Sequence, residues 1–182
     1  MSNNILQKAD ELFQTIVKKF GSTSPEVWHN YAHWLHAVQN ETDKARALLP
    51  RATQALPDHA RLPLMTKFAA LEYNSPNGSA ERGRTMFEGL ISTFPKRFDL
   101  WSQLLDHEDG PNADKAVIRD VFERATKVRG LKARPAKKWF KRWADWEAKN
   151  GDTKSREKVR AKAAEWVRLK AEAKTEGEDD EE

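Results

Sequence analysis

Apolar positions recur along this chain every three or four residues and stop at short breaks rich in glycine, proline, asparagine and serine. That pattern predicts amphipathic helices joined by tight turns. The first run covers 5–20, with Ile5, Leu6, Ala9, Leu12, Phe13, Ile16, Val17 and Phe20 apolar, and Gly21 stops it. Ser24 and Pro25 open the second, one as a cap and the other in the first turn. That helix sets Val27, Trp28, Tyr31, Trp34, Leu35 and Val38 on one face, and 40–43 form the turn. The run at 45–56 returns; Pro50 inside it removes a backbone donor and predicts a kink. Helices follow at 62–73 and 80–94, around the turn at 75–78, and Pro95 closes them. Between 99 and 128 two more surround Gly110, Pro111 and Asn112. The last pair covers 135–149 and 153 to about 174. No segment alternates with period two for long enough to make a strand, so the expected class is all-α.

The hairpins align with one another. In the first helices Trp28, Met65, Trp101 and Phe140 correspond, followed three residues later by Tyr31, Phe68, Leu104 and Trp143. Seven residues after the first of these come Leu35, Glu72, Glu108 and Glu147. In the return helices Arg46, Arg84, Arg119 and Arg160 correspond, then Leu49, Phe87, Phe122 and Ala163. The opening helix matches as a return helix, with Asp10 at the arginine position and Phe13 at the phenylalanine position. Hairpins repeated every 34–41 residues are the signature of an α-solenoid. The expected organisation is a half-unit at 5–21, units at 24–57, 61–95, 98–130 and 135–170, and an acidic disordered tail at 171–182. The acid and the arginine of each unit are expected to staple their own hairpin: Glu72 with Arg84, Glu108 with Arg119, Glu147 with Arg160. Leu35 replaces the acid in the second unit, so that pair is lost there. The opening helix lacks a first helix of its own, whose expected place is N-terminal to Met1.

An aromatic, a second aromatic three residues on, an acid seven residues on, then an arginine and often a terminal proline in the return helix resemble the half-a-TPR (HAT) repeat. The resemblance covers about residues 5–170. HAT repeats occur chiefly in proteins of RNA processing, and the resemblance implies a right-handed solenoid of TPR-like helical hairpins. The stretches LWSQLLDHE, IRDVFERA and KKWFKRWADWEAKNGD are more specifically similar to the C-terminal HAT domains of the ribosomal RNA processing protein five family. That likeness implies a nucleolar scaffold in the small-subunit processome and in early large-subunit precursors. It implies pre-rRNA, assembly factors, snoRNP components and a DEAD-box helicase as partners. The family's OB-fold domains, and any RNA specificity they supply, are absent from this sequence. HAT domains of splicing and 3′-end factors imply two alternatives: protein docking without RNA contact, and self-association.

Charge sharpens this picture. The net charge of +4 hides a polarised distribution. Residues 1–126 hold 15 Lys/Arg against 16 Asp/Glu, residues 127–170 hold 16 against 5, and residues 171–182 hold one against seven. Such a basic block suits RNA phosphate or an acidic partner. The candidate contacts are Lys132, Arg134, Lys137, Lys138, Lys141, Arg142 and Lys149. Trp139, Trp143 and Trp146 interleave with them, and such aromatics can stack nucleobases. Trp143 sits at a repeat core position, so burial is the favoured reading of the three. His29, His33 and His36 are spaced as on one helix face opposite the tryptophans, with no acid or cysteine to complete a metal site, which predicts a polar surface. The chain has no cysteine, so disulfides and thiolate sites are excluded, and a soluble intracellular protein without cofactor is expected. It carries no phosphate-binding glycine loop, no G-x-S-x-G and no paired nucleophile, which argues against an enzyme.

Overall fold

A computed structural model describes the backbone of residues 2–110 and 113–179 and the side chains of residues 4–110 and 113–173. Pro111 and Asn112 of the expected turn, and residues 180–182 of the acidic end, lie outside the described residues. Among the described residues every regular element is helical. They form two compact units, 1–107 and 108–182.

The first unit holds α1 (Ser2–Phe20), α2 (Pro25–Trp34), a π-helical turn (Leu35–Gln39), α3 (Thr42–Ala55), α4 (Asp58–Asn74), α5 (Ala80–Thr93) and α6 (Phe98–Glu108) up to its last residue. Each of α1 to α4 packs on the next, and α2 also packs on α4, the order expected of stacked hairpins. The second unit holds α7 (Lys115–Thr126), α8 (Ala133–Asn150) and α9 (Thr153–Asp179), with α8 packed against both neighbours.

The repeat positions have identifiable work. Phe13 of α1 stacks on Tyr31 of α2, with ring centroids 5.1 Å apart and planes 11° from parallel. Phe122 of α7 stacks in the same way on Trp143 of α8, at 5.6 Å and 3°. The return-helix aromatic of one repeat therefore lies against the second aromatic of the next. The first aromatic secures the joint between repeats. Trp28 donates its indole N–H to the Gly21 carbonyl at 2.7 Å, and Trp101 donates to the Pro95 carbonyl at 2.9 Å. Gly21 is required there, because a Cβ would meet the Trp28 ring at 2.9 Å and clash with the Val17 carbonyl oxygen.

One expectation needs correction, the face of the second helix. The second helix does not hold one α-helical face to Val38. At Leu35 it passes into a π-helical turn, closed by Asn40 in the left-handed region (φ 57°). The wider turn slips the side-chain phase by about one residue. His36 is therefore buried, at 2% exposure, while Val38 is 56% exposed. The return helix α3 is one helix through Pro50, which is exposed, so the donor that proline lacks is lost on the solvent side. The last helix, α9, is assigned from Thr153 to Asp179. Its run of Ala, Glu and Lys favours helix, and Arg168 and Glu172 pair one turn apart at 2.9 Å.

Candidate nucleic-acid interface

Two acids of the repeat meet the arginine of the preceding return helix. Both oxygens of Glu72 on α4 are taken by Arg46 on α3, the preceding return helix, at 2.8 and 3.0 Å. Both oxygens of Glu147 on α8 are taken by Arg119 on α7, again the preceding return helix, at 2.8 and 2.9 Å. Each pair ties one repeat to the next. The reason is geometric: a return helix packs against the first helix of the following hairpin as well as its own. Arg84 is half-buried, Glu108 is buried, and Arg160 is exposed. Burial would raise the Glu72 carboxyl, but the Arg46 bonds and the Ser79 backbone N–H outweigh it and hold it below its usual range. The Arg119 bonds hold Glu147 below its range too, against its burial. The register also explains Leu35. Its partner position in α1 is Asp10, so an acid at 35 would face an acid. Asp10 accepts instead from the Tyr31 hydroxyl at 2.7 Å.

On α8 one stripe is apolar and the other cationic. Ala136, Trp139, Phe140, Trp143 and Trp146 are buried, and Phe122 lies against all three indoles at 5.6–6.1 Å. Trp143 donates its N–H to Glu147 at 3.3 Å and Trp146 donates to Asp109 at 3.0 Å. These rings are core, and their polar atoms are satisfied inside it. Lys132, Arg134, Lys137, Lys138, Lys141 and Lys149 are exposed. Arg142 is half-buried, its guanidinium 5.7 Å over the Trp139 ring. Lys141 pairs with Asp145 at 3.1 Å, whereas Lys137 and Lys138 meet no carboxylate among the described residues. The stripe from Arg134 to Lys149 is about 22 Å long at 1.5 Å per residue. Not every cation of the basic block reaches this surface. Lys162 of α9 turns in to Glu123 of α7 at 2.9 Å, and Lys127 pairs with the same oxygen. Together they pull the Glu123 carboxyl down to about 2.

The histidine trio is split. His29 and His33 have ring centroids 6.5 Å apart, while His36 is turned into the core. Sequence reasoning missed a groove of about 800 Å³ in the first unit, bordered by Leu49, Leu62, Met65, Met86 and Phe94. Its signal was present: Met65 stands where the other first helices carry tryptophan or phenylalanine, and Leu49 stands where Phe13, Phe87 and Phe122 do.

No protein-family model matches the chain. Over 159 residues it is 40% identical to rRNA biogenesis protein rrp5 of Schizosaccharomyces pombe, covering 87% of this chain and 9% of that protein. It is 35% identical over 165 residues to the human Protein RRP5 homolog, covering 91% and 8%. Against rRNA biogenesis protein RRP5 of Arabidopsis thaliana it is 34% identical over 159 residues, covering 87% and 8%. The chain is thus homologous over about nine-tenths of its length to one region of these proteins, and spans under a tenth of theirs.

Proposed function

We propose that this chain is a non-enzymatic scaffold in ribosome biogenesis that holds pre-rRNA through the exposed cations of α8. The observation that carries the reading is that stripe: Lys137 and Lys138 stand exposed with no carboxylate beside them among the described residues, on a helix fixed by its buried tryptophans. Homology to rRNA biogenesis proteins supplies the context. The helices present a surface; the chemistry of processing belongs to what assembles on it. Assembly factors, snoRNP components and a DEAD-box helicase are the partners this reading carries, and the nucleolus is its place of action.

The test is binding of a labelled pre-rRNA spacer segment across a salt titration. Each phosphate contact contributes about 0.7–0.9 to the slope of log K against log salt. Reversing Lys137, Lys138 and Lys141 to glutamate should weaken binding and reduce that slope by about two to three. Absence of binding at low salt moves the RNA contact to other parts of the assembly. A second use, protein docking or self-association, is favoured by Ile5, Leu12 and Phe20, which stand exposed on α1 at 68%, 60% and 44%. Solution mass measured over a concentration series separates self-association from docking of another protein.

A further inference from the structure

Resting on the RNA-holding reading, we propose that the RNA taken by α8 is base-paired, and that it is recognised through its phosphates with no base stacked on the protein. Sites for single strands combine a cationic groove with exposed aromatic faces, and the stacking of successive bases supplies much of their affinity. The face of α8 has the cations and lacks the platforms. Trp139, Trp143 and Trp146 are 3–7% exposed, and two of their N–H groups are spent on carboxylates within the same unit. The half-buried Trp166 of α9 has the Phe140 ring 6.5 Å away, edge to face, and the Lys170 ammonium 5.8 Å from its centre. Among the described residues of this unit the large exposed apolar ones are Val167 and Leu169, which have no π-face.

The shape of the cationic stripe points the same way. It lies along one turn after another of a single helix, backed by a packed core, so the cations form a convex row and do not line a channel. A flexible strand gains little from such a row, because it must give up its own conformational freedom to follow it. A duplex arrives with its phosphates already ordered. The A-form major groove is deep and narrow, and phosphates of both strands line its mouth. The cations from Arg134 to Arg142, about 12 Å of helix before Asp145 interrupts the row, can lie across that mouth and meet both strands without reading a base.

The experiment uses the full chain and two labelled probes with equal numbers of phosphates: an RNA hairpin stem of about 16 base pairs, a length that offers two successive minor grooves and the major groove between them, and a uridine-rich strand that does not pair. Anisotropy is followed from low to high salt. The stem should bind about tenfold more tightly than the strand. Its salt slope should fall by about 2.7 when Lys137, Lys138 and Lys141 become glutamate, at about 0.9 per duplex contact. Circular dichroism of the triple variant confirms that its helices persist, and Arg160→Glu, an exposed cation on α9, serves as a fold-neutral control. Equal or tighter binding of the uridine strand overturns the inference and leaves the RNA-holding function standing. Binding of neither probe overturns both.

Discussion

At the scale of single residues, the repeat is defined by who answers whom across a joint. Glu147 is 1% exposed, and its two oxygens depend on Arg119. Removing that arginine strands a carboxylate in the core. Arg119→Leu should cost about 3 kcal/mol, the low end for breaking a buried pair, because Arg119 itself is partly exposed. Arg160→Leu, at the position in the same hairpin as Glu147, should change stability by less than about 0.5 kcal/mol. Urea midpoints of the two variants decide between joint and staple; equal losses would restore the staple. The reason this was not legible in the sequence is instructive. Acid and arginine recur with the repeat, so any arginine can be paired on paper with the acid of its own hairpin or with that of the next. Periodicity carries no sign for which neighbour is meant, and only the stacking of helices supplies it. In hindsight the paired departures were the available clue. Leu35 lacks the acid where Asp10 lacks the arginine, and those two positions belong to successive repeats.

At the scale of elements, periodicity located every helix, because a buried stripe must recur near 3.6 residues wherever an α-helix meets a core. It failed where the period itself changes. Through Trp34 the apolar face of α2 is as the sequence implies, with Trp28 and Tyr31 buried. Beyond it the π-helical turn advances the phase, so His36 faces inward beside Leu35 and Val38 faces out. Hydrophobicity favoured the opposite assignment, and backbone packing overrode it. Val38→Lys should therefore be nearly neutral, within about 0.5 kcal/mol, whereas His36→Lys buries an unpaired charge and should cost well over about 2 kcal/mol. Thermal melts of the two variants test this; greater sensitivity at 38 than at 36 would restore an unbroken α-helix. The cations of α8 were legible as a set because they occupy the complement of the apolar stripe. The burial of the three tryptophans between them follows from the same periodicity.

At the scale of the whole molecule, the two units carry different titratable groups in their cores, and this separates their responses to acid. In 1–107, burial holds His36 and His29 below the ordinary histidine range. The unfolded chain protonates histidine near about 6.5 and the native fold does not, so below that pH the unfolded state binds more protons and stability falls. In 108–182 the groups with lowered values are carboxylates, among them Glu147 held down by Arg119, Glu123 at about 2, and Asp152 held down by the Ser155 backbone N–H. Their contribution is complete above the unfolded carboxylate value of about 4.3 and is lost as pH falls toward about 2. Glu72 gives the first unit the same later loss. On the alkaline side, burial and its bond to Asp10 raise Tyr31 to about 12, so the first unit also loses stability above about 10, where an unfolded tyrosine ionises. Hydrogen exchange read by region, and corrected for the intrinsic rate at each pH, should show protection in 1–107 declining between pH 7 and 5 while that in 108–182 holds. Both should decline below about pH 4.3. His36→Leu should flatten the first decline and leave the second, because it removes the buried imidazole whose Nδ1 has no hydrogen-bond partner among the described residues. A simultaneous decline of both units from pH 7, unaltered by His36→Leu, would show that net charge and not these buried groups sets the acid response.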